Sequence, residues 1–97
     1  MKPIYLLAAA LLWATPALAD EFDIVLKPGA GGDTTSVTCA ACHSIDYIKM
    51  NSPFMSPAMW KAEVTKMRTA FGAPIDQATA DEILGYVIAA YGVPAKP

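Results

Sequence analysis

Residues 39–43 read Cys39-Ala40-Ala41-Cys42-His43, and both cysteines and the single histidine of the 97-residue chain fall within them. Cys-x-x-Cys-His is the attachment pattern of a c-type haem. The spacing suits the chemistry. Thiols three residues apart share one face of a helical turn, so both sulfurs can reach one macrocycle edge and form thioethers with its vinyl groups. His43 follows at once and can turn its imidazole toward the iron. The expected cofactor is one covalently bound haem c, with His43 as its first axial ligand.

Other uses of the motif need more than the sequence offers. A Cys39–Cys42 disulfide closes too short a loop to remove much chain entropy. A thioredoxin-like redox pair needs a βαβ context and far more chain. A zinc site needs further cysteine or histidine ligands, and none remains.

The need for such a staple is visible in the rest of the chain. Met1–Ala19 reads as a secretory signal peptide: Lys2 is the basic start, Ile4–Trp13 the apolar stretch, and Ala17-Leu18-Ala19 the small-residue cleavage site. Its removal leaves 78 residues, from Asp20 onward, with a formal net charge of −3. That length excludes a multidomain enzyme or a barrel. Only 16 of the 78 are Leu, Ile, Val or Phe, close to the limit for a chain folding alone, so a covalent cofactor would supply missing apolar mass. No basic run exists, which argues against a nucleic-acid partner. No second apolar stretch follows, so no membrane association is expected after cleavage. Haem attachment and export together place the protein in the periplasm.

The rest of the chain reads as all-α, with about three helices around the haem. Residues 20–33 form an extended N-terminal arm and a Gly-rich loop, and residues 34–97 the cytochrome c domain. The glycines at 29, 31 and 32 lack the Lys-Ser/Thr ending of a phosphate loop. Asp33 or Thr34 can cap a first helix reaching about His43. Residues 46–57 look irregular, broken by Pro53 and Pro57. Ser56-Pro57 starts a second helix reaching about Phe71, and Gly72 suits its left-handed end. Asp76, or the Thr79-x-x-Glu82 box, starts a third helix reaching about Tyr91. Its stripe is Ile83, Tyr86, Val87, Ala90 and Tyr91.

With no second histidine, the sixth iron position is either open or filled by a methionine. Met67 is the expected ligand, because Trp60, Val64 and Met67 lie on one helix face that can cover a haem. Met59 and Met55 are the alternatives, and simple core packing is the bland one. Trp60 either packs on the haem or donates its indole N–H to a propionate, alongside Tyr47. The Pro53 carbonyl could accept the His43 Nδ1–H, or Pro53 could be an ordinary breaker.

The run from Cys39 to Tyr91 also carries a family likeness. Its residues are Cys39-Ala40-Ala41-Cys42-His43-Ser44, Asp46-Tyr47-Ile48, Trp60-x-x-Glu63-Val64-x-Lys66-Met67, Phe71-Gly72-Ala73-Pro74-Ile75-Asp76 and Ile83-x-x-Tyr86. The run resembles the monohaem cytochrome c subunit of bacterial sulfite dehydrogenase. The likeness implies a small class I-like cytochrome c fold with Met67 as axial ligand. It also implies a larger molybdopterin subunit as partner in a heterodimer, and an acceptor cytochrome c. On that view the chain transfers electrons and performs no catalysis alone. The alternatives are a free-standing periplasmic carrier for another dehydrogenase, and an open-site haem protein that binds a small ligand.

Overall fold

The computed structural model describes residues 24–94. Within them the chain is all-α: α1 (Gly32–Ala40), α2 (Asp46–Asn51), a 3₁₀ turn (Ser52–Phe54), α3 (Pro57–Thr69) and α4 (Gln77–Tyr91), with no strand. The expected signal peptide and the first residues of the arm, 20–23, lie outside the described residues. Among those described, no helix is long and apolar enough to cross a membrane.

Helix α4 organises the rest. Its cap is Asp76, whose carboxylate accepts a hydrogen bond from the Thr79 N–H at 2.7 Å. Starting there rather than at Thr79 adds a turn and buries Ala80. Ile83, Tyr86, Val87 and Tyr91 then fall on one buried face, as their spacing predicts. Ala90 is half-buried and packs at its margin. Burying side chains such as Ile83 and Val87 contributes about 1.5–3 kcal/mol each. This face joins Leu26, Ile48, Met55 and Trp60 in one core, and α4 packs against both α1 and α3.

Helix α3 follows its sequence signals. Ser56 Oγ accepts from the Met59 N–H at 3.3 Å, and Pro57 takes the first helical position. The helix ends at Thr69, and Gly72 adopts φ 67° beyond it. Arg68 then straps the connection to α4. Its Nε donates to the Ile75 carbonyl at 2.9 Å and its Nη1 to Gln77 Oε1 at 3.0 Å.

Two expectations need correction. First, α1 is capped by Gly31, not by Asp33 or Thr34, and it ends at Ala40 rather than near His43. Thr34 spends its hydroxyl on Glu82 Oε1 of α4 at 2.8 Å, and Gly31 turns the chain at φ 86°. Cys42 and His43 therefore lie in the turn beyond the helix. Second, residues 46–54 are helical, giving four helices rather than three. The Asn51 Nδ2 donates to the Tyr47 carbonyl and the Ser52 Oγ to the Lys49 carbonyl. These bonds carry the chain into a 3₁₀ turn whose early position tolerates Pro53.

The described part of the arm belongs to the fold. Leu26 is in the core while Val25 points out. The Lys27 N–H donates to Tyr91 Oη at 2.8 Å, and its carbonyl accepts from the Tyr86 hydroxyl. Burial, then Tyr91, pushes the Tyr86 phenol up to about 12, so it remains a donor.

Two predictions follow from this packing. A Cβ at Gly31 would lie 3.0 Å from both the Glu82 carbonyl oxygen and Tyr86 Cβ, at a left-handed φ. Gly31→Ala should therefore lower stability by about 1–3 kcal/mol in urea unfolding, with the midpoint moving down. The Thr79 N–H holds the Asp76 carboxyl below its ordinary value. The stability it contributes is present above the unfolded carboxylate range and is lost as pH falls through the lowered folded value. Asp76→Asn should flatten that acid limb of the melting temperature against pH; an unchanged limb would refute the assignment.

Candidate functional site

The Cys-x-x-Cys-His residues straddle the end of α1. Cys39 sits in the last turn, half-buried against the core, whereas Cys42 and His43 are exposed in the following turn. Both thiols are free. Burial, with a smaller contribution from Cys42, pushes the Cys39 thiol up. Among the described residues, no group of three or more His, Cys, Asp or Glu side chains could hold a metal ion.

Ser44 orients the histidine. His43 Nδ1 lies 3.0 Å from the Ser44 carbonyl oxygen. A carbonyl only accepts, so the tautomer that makes this bond carries its proton on Nδ1 and keeps the Nε2 lone pair for a metal. The acceptor is Ser44 and not Pro53, whose carbonyl was one of two readings of that residue; a neighbouring carbonyl reaches the ring without any loop folding back. Ser44 Oγ also accepts from the Asp46 N–H at 3.2 Å, so one residue sets the imidazole and the start of α2. Sequence reasoning did not assign Ser44 a role. Its only signal was its place directly after His43.

Tyr47, on the first turn of α2, meets His43 edge to face. The ring centroids are 6.0 Å apart with 67° between planes. The structure thus brings Tyr47 to the motif, though as a neighbour of the imidazole.

Trp60 belongs to the core cluster against which Cys39 packs. Its ring is buried among the protein's own core side chains. Its Nε1–H has no hydrogen-bond partner. Leaving such a donor unpaired costs about 1–3 kcal/mol, and folded proteins rarely tolerate it. A carboxylate on a bound group, such as a haem propionate, would satisfy it. Thr35 Oγ1, at the contact between α1 and α4, is a second buried and unpaired polar atom. Nothing in the sequence pattern singled it out.

The methionines separate by environment. Met55 is part of the core, and its carbonyl accepts from the Val93 N–H at 3.1 Å. It could serve as a ligand only by unpacking that core. Met50 and Met59 are 66% and 48% exposed, which leaves little to hold either sulfur in one place. Met67 is half-buried on α3, beyond Trp60 and Val64 on the same side. Trp60 and Val64 pack in or on the core, and Met67 is not among the side chains packed there. Its sulfur is uncommitted, but no described contact joins it to His43.

No protein-family model matches the chain, and a search of curated proteins gives no match.

In the haem-free chain the two thiols should react unequally. Cys39 is half-buried with a raised thiol, so it holds less thiolate at a given pH. Iodoacetamide near pH 8 should modify Cys42 first, as read by peptide mass spectrometry. Equal rates would mean that Cys39 does not pack on the core as described.

Proposed function

We infer that the chain is an exported monohaem c-type cytochrome, working as the electron-transfer subunit of a molybdopterin sulfite dehydrogenase. The observation that carries the haem assignment is Cys39-x-x-Cys42-His43 at the end of a helix, with the His43 Nδ1–H directed to the Ser44 carbonyl. A bound haem supplies one-electron redox chemistry. Cys39 and Cys42 would hold it by thioethers, each S–H adding across one vinyl group with its hydrogen going to the adjacent carbon. His43 would ligate the iron through Nε2. Met67 is assigned the opposite position, since thioether ligation favours reduced iron and suits an electron carrier. The unpaired Trp60 Nε1–H supports a role beside a propionate.

The partner assignment rests on the family likeness of residues 39–91. Sulfite oxidation belongs to the molybdenum subunit, since no side chain here suits oxygen-atom transfer. This chain's residues hold the cofactor and set its potential, and an acceptor cytochrome c takes the electrons in the periplasm.

Haem staining after denaturing electrophoresis tests the attachment. Cys39→Ala or Cys42→Ala should weaken the stain, and the double variant should abolish it. A double variant that still stains would overturn the assignment.

Spectroscopy tests the sixth ligand. The oxidised protein should show the weak near-infrared band of His/Met coordination. Met67→Ala should remove the band, lower the potential and admit carbon monoxide, while Met55→Ala and Met59→Ala keep the band. Its cost in stability should fall below the about 2–5 kcal/mol of a fully buried Met→Ala change, since Met67 is only half-buried. A wild-type protein that lacks the band and binds carbon monoxide readily would favour the open-site reading instead.

A further inference from the structure

Helix α4 has a second face that nothing among the described residues covers. Between this face and the arm loop runs a groove of about 470 Å³, whose lining includes Pro28, Gly29 and Ala30 on one side and Asp81, Gly85 and Ala89 on the other. None of Cys39, Cys42, His43 and Met67 lines it. Gly85 is exposed in the middle of the helix, and a Cβ built on it would meet nothing within 4 Å. Glycine weakens a helix interior relative to alanine, and no contact among the described residues calls for it here. Close approach of a second backbone would.

Asp81 and Glu82 line one end of the groove, and Lys27 stands beside Ala90 at the other. Asp81 and Glu82 stand one turn before Gly85. At the other end Lys27 places its ammonium 3.0 Å from the Ala90 carbonyl and 4.7 Å above the Tyr91 ring. Asp81 and Ala89 are equally far from Gly85 along the helix. Two copies of α4 laid antiparallel, with a two-fold axis at Gly85, would therefore set Asp81 and Glu82 of each copy beside Lys27 of the other. The two Asp81 side chains would stay about 12 Å apart along the helix, from a rise of ~1.5 Å per residue. An isologous contact needs this kind of self-complementary patch.

We propose that the groove between the arm loop and α4 is a dimerisation surface whose occupant is a second copy of this chain, crossing at Gly85 with Lys27 facing Asp81 and Glu82 across the axis. The contact is one helix wide and small-residued, so the dimer is weak and concentration-dependent. It leaves the Cys39–His43 turn uncovered, and it stands or falls independently of the haem assignment.

Sedimentation velocity of the full-length purified protein over a range of concentrations tests it, with circular dichroism melts to show that each variant is folded. The wild type should dimerise reversibly, more weakly at high salt. Gly85→Leu should weaken dimerisation about tenfold or more, as for a central contact. Gly85→Ala should raise the melting temperature while weakening the dimer. Asp81→Lys alone and Lys27→Glu alone should each weaken it, and the double exchange should restore it. A wild type that stays monomeric at every concentration overturns the proposal, as does a Gly85→Leu protein that dimerises like the wild type. A monomeric wild type whose Gly85→Leu variant loses a co-purifying dehydrogenase also overturns it, and assigns the groove to that partner.

Discussion

The contact between the Tyr86 ring and the Gly29–Gly32 turn fixes where everything else can lie. Tyr86 is almost fully buried, and Gly29 and Gly32 pass against its ring edge, while Gly31 approaches its Cβ. Its hydroxyl holds the Lys27 carbonyl. Three parts of the chain thereby meet at one side chain: the arm, the start of α1 and the middle of α4. A larger residue at Gly31 would push the helices apart, and α1 would lose its angle. That angle matters because α1 ends at the Cys39–His43 turn. The position of the motif is thus set about two turns away, by a tyrosine on another helix.

Helix α1 has little else to hold it. It buries only Gly32 and Thr35, and Cys39 is half-buried at its far end. A helix without an apolar stripe usually depends on something beyond its own packing. Val37, Phe54 and Phe71 are each about 70% exposed or more, an unusual display for so small a domain. These features agree with the shortage of Leu, Ile, Val and Phe noted in the sequence. The described residues close a core around α4, and among them apolar surface and, within the core itself, the Trp60 N–H are left without partners. A covalently held, largely apolar cofactor with carboxylate edges is the kind of group those loose ends would suit.

Much of this was legible in advance where a single residue dictates a backbone state. Ser56-Pro57 started α3, Gly72 took a positive φ beyond its end, and the stripe from Ile83 to Tyr91 was the buried face of α4. The failures came where two local signals competed. Thr34 looked like a cap, but its hydroxyl gains more from Glu82 on α4, a residue distant in sequence. Pro53 read as a breaker, yet a 3₁₀ turn uses it without conflict. In the candidate site, Cys39, Cys42 and His43 were named by the motif alone, whereas the role of Ser44 depends on a backbone carbonyl. No residue type advertises a carbonyl, so pattern reading passes over it.

Helix α4 carries two kinds of selection at once, and its composition separates them. Its inner residues are large and branched or aromatic, because they fill a core. Its outer residues at 78, 85 and 89 are Ala, Gly and Ala, with acids between. Solvent exposure alone would favour Lys, Glu or Gln at such sites, since they stabilise helices better than glycine. Small residues bring a backbone close to whatever lies outside, and the opposite charges at the groove's ends give that approach a direction. The inner face explains why the chain folds where it does. The outer face meets nothing at Gly85 among the described residues, which is where the proposed second copy would approach.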